Sequence, residues 1–398
     1  MTAPRASAVA VAFAANGLGG PSFLARLPER QAALDLSDAT LGLTLVGLAA
    51  GALVVSPVAG RWVSRLGSRR VLLAAGVGLG ASLWTAGAAG NAAALFGALV
   101  VVGAADAVMD ISMNANGAAY EERSGRSVMH RLHGAWSLGA LAAAALAATS
   151  AAAGLSVAQH LALVGAVIAS GVVVTRRGLL ADDARRLAAG RPATPGGWAR
   201  VRVAVAGPIA VLAAATVAGA LIEGGATDWS AVQLERLGLA TSLSALGWGA
   251  FMAGMVGGRL AGDRLTDRFG GAAILRGGMA LVVVGLTLGV VVAHPAAFAS
   301  GLVLAGAGAA GFFPLAFSAA ARTPGVAPGP GAATVSLAAR IGFLAEPMIM
   351  GAVASLVGLR WAFGLVAAVA CTMAVAATRI VPPACRPAPV PLADVREP

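Results

Sequence analysis

The residues with most chemistry to offer lie where a charge is least welcome. Asp106, Asp110, Asn114, Gly117 and Glu121 fall within or at the end of one apolar run. Their spacing keeps them inside an arc of about 80° on a helix of about 3.6 residues per turn, so they form one polar stripe. An ionisable group at membrane depth is unfavourable by several kcal/mol unless it faces water or a partner. A carboxyl withdrawn from water holds its proton more tightly, and a second carboxyl one turn away strengthens that hold. Such a pair can load a proton near neutral pH and release it when water returns. Asp106 and Asp110 are therefore candidate proton carriers, with Asp106 the deeper. Pairing with an Arg or His on a neighbouring helix, and hydrogen bonding to a solute without titration, stay open as readings. Glu121 reads as a solvated helix end.

Other polar groups stand in comparable runs. Arg340 and Glu346-Pro347 share one run, six residues apart. That spacing suits no intrahelical pair, so each should face a different neighbour. Arg340 could hold a solute carboxylate or balance Asp106 or Asp110. Pro347 implies a kink. Glu223 is deep enough to be a proton or ligand site. Asp228 lies near the outer end of the same run, and Trp229 reads as an interfacial anchor. Asn16 and Asn114 can hydrogen-bond a neutral solute, and Phe312, Phe313 and Phe317 can wall a cavity. His130 and His133 flank Arg131; two His with no further ligands make no metal site, and a helix-start contact or a pH-sensitive gate are the alternatives.

These groups need apolar elements to hold them. Of 398 residues, 58% are hydrophobic and 11% charged, against about 25% charged in a soluble domain. That excludes an ordinary soluble enzyme and a disordered chain. Twelve apolar runs are long enough to span a bilayer: 6–26, 40–60, 70–89, 94–117, 133–153, 158–176, 203–224, 241–261, 272–293, 296–319, 331–355 and 359–379. The net charge is +11 and every basic residue is Arg. The Arg residues are scattered at the ends of apolar runs rather than gathered on one face, which excludes nucleic acid as a partner. Arg61, Arg65, Arg69 and Arg70 fall between spans 2 and 3. Arg176, Arg177, Arg185, Arg186, Arg191, Arg200 and Arg202 fall between spans 6 and 7, and Arg259, Arg264, Arg268 and Arg276 around the junction of spans 8 and 9. Odd-to-even junctions are poor in Arg. The positive-inside rule then puts both termini in the cytoplasm. Cys371 and Cys385 imply no disulfide framework. No HExxH, GxSxG or phosphate-binding loop is present, which argues against an intramembrane enzyme or an ATP-driven pump.

The two halves echo one another. Gly60-Arg61-Trp62-Val63-Ser64-Arg65-Leu66-Gly67-Ser68-Arg69-Arg70 follows span 2, and Gly262-Asp263-Arg264-Leu265-Thr266-Asp267-Arg268-Phe269-Gly270 follows span 8; with one residue inserted, Gly, Arg and Gly superimpose. The chain resembles the major facilitator superfamily of secondary transporters. That family's signature runs Gly-x-x-x-Asp-Arg-x-Gly-Arg-Arg, matched by Gly60, Arg65, Gly67, Arg69 and Arg70, with Ser64 in place of the Asp; Asp267 and Arg268 fit the Asp-Arg pair of the second half. The resemblance implies that these residues act as a conformational latch. Arg26-Leu27-Pro28, Asp110 to Gly117, His133 to Gly139 and Glu223 to Ser230 resemble the fucose-permease-like branch and its bacterial relatives. The first-span carboxylate expected of a fucose permease has no counterpart between Val9 and Gly20, where Asn16 is the strongly polar residue. The Gly-Pro signature of drug–proton antiporters is missing between Gly134 and Gly154.

The expected fold is an all-α membrane protein of twelve transmembrane helices in two pseudo-symmetric six-helix bundles. Residues 1–177 and 203–380 form the bundles. Residues 178–202 form a cytoplasmic linker, with a short amphipathic patch at Leu179–Leu187, and 381–398 a Pro-rich cytoplasmic tail. The expected function is secondary active transport of a small polar, sugar-like solute by alternating access, proton-coupled, in the bacterial inner membrane. The rival reading is a proton-driven exporter of drugs or metabolites. Proton-coupling candidates are Asp106, Asp110, Glu223 and Glu346; solute-binding candidates are Asn16, Asn114, His133, Trp136, Arg340 and Phe313. The expected partners are solute, proton and lipid, with no cofactor and no metal, in a monomer.

Overall fold

The computed structural model describes residues 5–124, 128–180, 208–321, 323 and 328–381. Among the described residues ten segments are long and apolar enough to cross a membrane, and twelve helices are numbered here. They are α1 (Ala6–Leu24), α2 (Asp38–Leu66), α3 (Ser68–Ala88), α4 (Ala92–Ser124), α5 (Met129–Ala152), α6 (Val157–Thr175), α7 (Pro208–Asp228), α8 (Leu246–Phe269), α9 (Gly271–Val292), α10 (Pro295–Ala309, continued as Phe312–Ala321), α11 (Pro328–Val357) and α12 (Leu359–Val375). No strand occurs among the described residues. An apolar chain in lipid has to satisfy its backbone groups internally, and helices do so. Most of the linker, from residue 181, lies outside the described residues. So do the remainder of the Leu179–Leu187 patch, the linker arginines, the first residues of the run at 203–224, and the tail from 382 with Cys385.

Helix ends follow local chemistry. The Ser37 hydroxyl caps α2 by accepting from the Thr40 N–H, and Ser156 with Gln159 forms a reciprocal capping box on α6. The segment after span 2 is helix rather than loop as far as Leu66. The chain turns at Gly67, with φ of 84°, and α8 ends the same way at Gly270, with φ of 80°. A side chain is strained in that conformation, so glycine terminates both helices.

The two halves pack alike. α2 lies on α4 as α8 lies on α10, α1 on α5 as α7 on α11, and α3 on α6 as α9 on α12. The glycines that permit this repeat at one offset. Gly51 and Gly254, Gly67 and Gly270, Gly103 and Gly306, and Gly139 and Gly342 form pairs 203 positions apart. Gly51 meets the Val100 carbonyl and Gly254 the Val303 carbonyl; Gly103 meets Leu48 and Gly306 meets Phe251. A Cβ at these positions would strike backbone, so glycine sets how closely the helices approach. The constant offset replaces the one-residue insertion expected from the loop comparison. It aligns Arg65 with Arg268 and Gly67 with Gly270.

The halves join mainly through α2 against α11 and α5 against α8. One face of the bundle carries the Arg-rich junctions, and contact is concentrated toward the opposite face. There Gly42 abuts the Pro347 carbonyl, Gly351 abuts the Asp38 carbonyl, and the Ala39 N–H donates to Ser355 Oγ at 2.9 Å. Arg236 forms a two-pronged ion pair with Asp38, which also accepts from Gln31 Nε2 at 2.7 Å. Ala25, Ala147 and Ala245 make a small buried cluster between α5 and the start of α8. Nearby, burial pushes the Glu235 carboxyl above the usual range; a hydrogen bond with Thr241 opposes this and the charge of Glu29 adds to it.

Gly103→Ala should lower thermal stability in detergent by about 1–3 kcal/mol, because its Cβ meets the Leu48 backbone. Gly97→Ala on the same helix has open space around it. Its melting temperature should match or slightly exceed that of the parent.

Candidate functional site

α1, α4 and α5 are brought together by a chain of hydrogen bonds. Trp136 Nε1 donates to Asn16 Oδ1 at 2.9 Å, and Asn16 Nδ2 donates to Asp106 Oδ1 at 2.8 Å. Asn16 is 4% exposed. Its amide therefore spends both ends at once, fixing the indole and one carboxylate oxygen. The contact is possible because Gly17 and Gly139 let α1 and α5 approach backbone to backbone. Asn16, Asp106 and Trp136, distant in sequence, thus form one unit.

Asp110 lies one turn further along α4. Its Oδ1 accepts from Asn114 Nδ2 at 3.0 Å, and it retains accessible surface although protein surrounds it at depth. It therefore stands on an internal wall that water can reach. Arg340 of α11 lies within electrostatic reach of Asp110, and its Nη1 donates to Ser56 Oγ of α2 at 3.0 Å. A cavity of about 700 Å³ opens between α5 and α8, lined by Arg131, His133, Ser137, Leu141, Val256 and Arg259 among others. The His133 ring sits edge-on to Phe13 at 5.2 Å. The polar lining of this space is cationic and hydroxylic, while the carboxyls stand on α4.

The second half holds its own acids. Glu223 lies within the electrostatic reach of Arg259. Glu346 faces α7, where it packs on Gly224 beside Asp228. Arg340 and Glu346 thus face different neighbours. Phe313 stacks on Phe343 at 6.1 Å and meets Phe312 edge-on at 5.2 Å; Phe317 is exposed.

Some sequence expectations need correction. Trp229 is no interfacial anchor, because it is completely buried. Glu121 is no solvated end. Its Oε2 accepts from the Val128 and Met129 N–H groups at 2.6 and 3.0 Å, capping the start of α5. The side chain of His130 lies outside the described residues. Among the described residues the ion pairs are Arg26–Glu29 and Arg236–Asp38. Neither involves Arg65, Arg69, Asp267 or Arg268, and Arg268 instead covers the Phe269 ring.

Two anchors were not singled out by sequence. Arg26, 1% exposed, pairs with Glu29 and donates to Ser150 Oγ and the Leu155 carbonyl, stitching the end of α1 to the α5–α6 turn. Asn116 is buried and donates to Ser68 Oγ and the Leu180 carbonyl. Both lie in motifs quoted above, and a polar residue amid apolar neighbours was the available signal.

Twelve helices in two matching halves, ten segments of which are long and apolar enough to cross a membrane, define a multi-pass membrane protein. The chain belongs to the major facilitator superfamily, whose family model matches residues 6–325 and 230–398. It is 30% identical over 379 residues to an uncharacterised MFS-type transporter of Yersinia pestis, covering 93% of this chain and 94% of that protein. Among solved structures, a variant of the nucleoside transporter NupG superposes with a TM-score of 0.81 at 12% identity, covering 94% of this chain and 99% of that one. The Escherichia coli fucose:proton symporter superposes with a TM-score of 0.60 at 15% identity, covering 94% and 97%. At these identities the structural likeness speaks for the fold alone.

Asn16→Ala leaves the Trp136 N–H and Asp106 without their shared partner. It should lower stability by roughly 1–3 kcal/mol, read by thermal unfolding in detergent. Asn114→Ala, whose contacts are with Asp110 on its own helix, should cost less in the same assay.

Proposed function

We propose that this protein moves a small polar, sugar-like solute across the bacterial inner membrane by alternating access, coupled to protons through Asp106 and Asp110. The observation that carries the reading is the Trp136–Asn16–Asp106 chain beside the accessible Asp110. It fixes a half-buried acid within the first bundle, whose α5 packs on α8 of the second. Positive-inside arginine makes the Arg-rich face cytoplasmic, with both termini on that side. The cavity between α5 and α8 then opens inward, and the α2–α11 contacts close the outer side. Bundles 1–177 and 203–380, joined by the linker 178–202, rock about the central site.

Within this scheme Asn114, His133, Trp136, Arg340 and Phe313 face the solute, with amide, imidazole and indole groups suited to hydroxyls. Gly60, Arg65, Gly67, Arg69, Asp267 and Arg268 belong to the latch that engages when the cytoplasmic side closes, which agrees with their lack of mutual ion pairs here. The fucose:proton symporter among the structural neighbours makes a sugar–proton pair a natural first choice for assay. The working unit is a monomer.

The test uses proteoliposomes with a trapped pH dye and solutes first selected by thermal shift from sugars, acids and amines. The parent should move protons with the solute. Asp106→Asn and Asp110→Asn should cut proton flux by about tenfold or more, with Asp106→Asn retaining solute counterflow. Unchanged coupling in both variants would overturn the proton assignment. Proton movement opposite to the solute would make the protein an exporter.

A further inference from the structure

The acids of the second half form a separate cluster. Glu346 is 1% exposed, and neither carboxyl oxygen has a hydrogen-bond partner of normal geometry. Its side chain rests against Gly224, where even a methyl group would collide with it. Asp228 faces it from the end of α7. The Trp229 indole N–H lies beside it within bonding reach and is also buried. The segment Glu223-Gly224-Gly225-Ala226-Thr227-Asp228-Trp229 thereby acquires a structural meaning. Its glycine makes room for Glu346, while its acid and its indole face the carboxyl.

Every charged neighbour is accounted for. On α7 the second acid, Glu223, lies in the field of Arg259, and Thr227 Oγ1 donates to Asp228 at 3.0 Å. On α2, Asp38 is taken by Arg236. On α12, Arg360 is bonded to the carbonyls of Val290 and Val291. The described part of α10 beyond Gly311 carries no charge. On α11 itself, Arg340 lies six residues away, bonded to Ser56. Among the described residues no cation is paired with Glu346. A bare carboxylate there would be a buried, unpaired charge, which proteins avoid by binding a proton.

Glu346 also adjoins the closure. The next residue, Pro347, presents its carbonyl to Gly42 of α2, and Gly351 one turn on meets the Asp38 carbonyl. Parting α2 from α11 would uncover the turn that holds Glu346.

We propose that Glu346, seated on Gly224 and facing Asp228 and Trp229 beneath the α2–α11 contact, is a second proton site, occupied while that contact is closed and emptied when it opens. On opening, the carboxyl O–H bond breaks and the proton passes to water on the outer side. The carboxylate is then met by water and the Trp229 N–H, and closing returns the proton. The inference rests on the alternating-access reading for its direction, and its site is distinct from Asp106.

Two measurements test it without a known solute. In the infrared difference spectrum between acid and alkaline pH, the parent should show a protonated-carboxyl C=O band that Glu346→Gln removes and Asp228→Asn shifts. In a Cys371→Ser, Cys385→Ser background, spin labels at Ala33→Cys and Ala240→Cys report opening of the α2–α11 side. The longer-distance population should grow by about threefold or more between about pH 5 and about pH 9. Glu346→Gln should hold the short distance throughout. A band that survives Glu346→Gln, or opening that follows pH as in the parent, overturns the proposal. The proteoliposome result for Asp106 would stand in either case. If Glu346→Gln does not fold, loss of the band shift in Asp228→Asn overturns the proposal independently.

Discussion

A carboxyl at membrane depth must be hydrated, paired or protonated, and much of this architecture can be read as the means of choosing among the three. Asp110 keeps accessible surface and lies in the field of Arg340. Asp106 is held by an amide that is itself held by an indole. Glu346 is shut in against Gly224 beside the Trp229 indole, with no cation among the described residues paired to it. Three acids sit in three environments, set by which helices stand beside them.

The scaffold repeats and the chemistry does not. Gly51, Gly67, Gly103 and Gly139 recur at 254, 270, 306 and 342, so the close helix contacts of one half reappear in the other. At the same offset Asp110 becomes Phe313 and Asn114 becomes Phe317, while Ser56 becomes Arg259 and Ser137 becomes Arg340. The first half thus presents acids and amides where the second presents phenyl rings, and the second presents guanidinium groups where the first presents hydroxyls. The two halves share a packing scaffold and differ in the polar, charged and aromatic groups it carries.

Fold class was legible because it depends on composition and run length, which are local. Twelve apolar runs became twelve helices, with boundaries that moved where a run ends in charge but the helix continues, as α2 does to Leu66. The stripe on α4 was legible because helical spacing is local too. The Asn16–Asp106 and Trp136–Asn16 contacts were not, since they join positions 90 and 120 residues apart. The environment of Glu346 was hidden for the same reason: Gly224 gives no sign in sequence of what it makes room for. Trp229 misled because an aromatic near a helix end suits either an interface or a buried corner. The repeat was detectable throughout, but its signal lies in glycines, which a search for charged motifs passes over.

The central claim is that solute binding and the protonation of Asp106 are linked. Proton exchange on mixing solute with the purified protein, in weakly buffered detergent solution, reads that linkage without vesicles or gradients. The account predicts that the parent takes up or releases protons in proportion to solute bound, and that Asp106→Asn binds solute with no such exchange. Equal proton exchange by the two proteins at equal occupancy would contradict it.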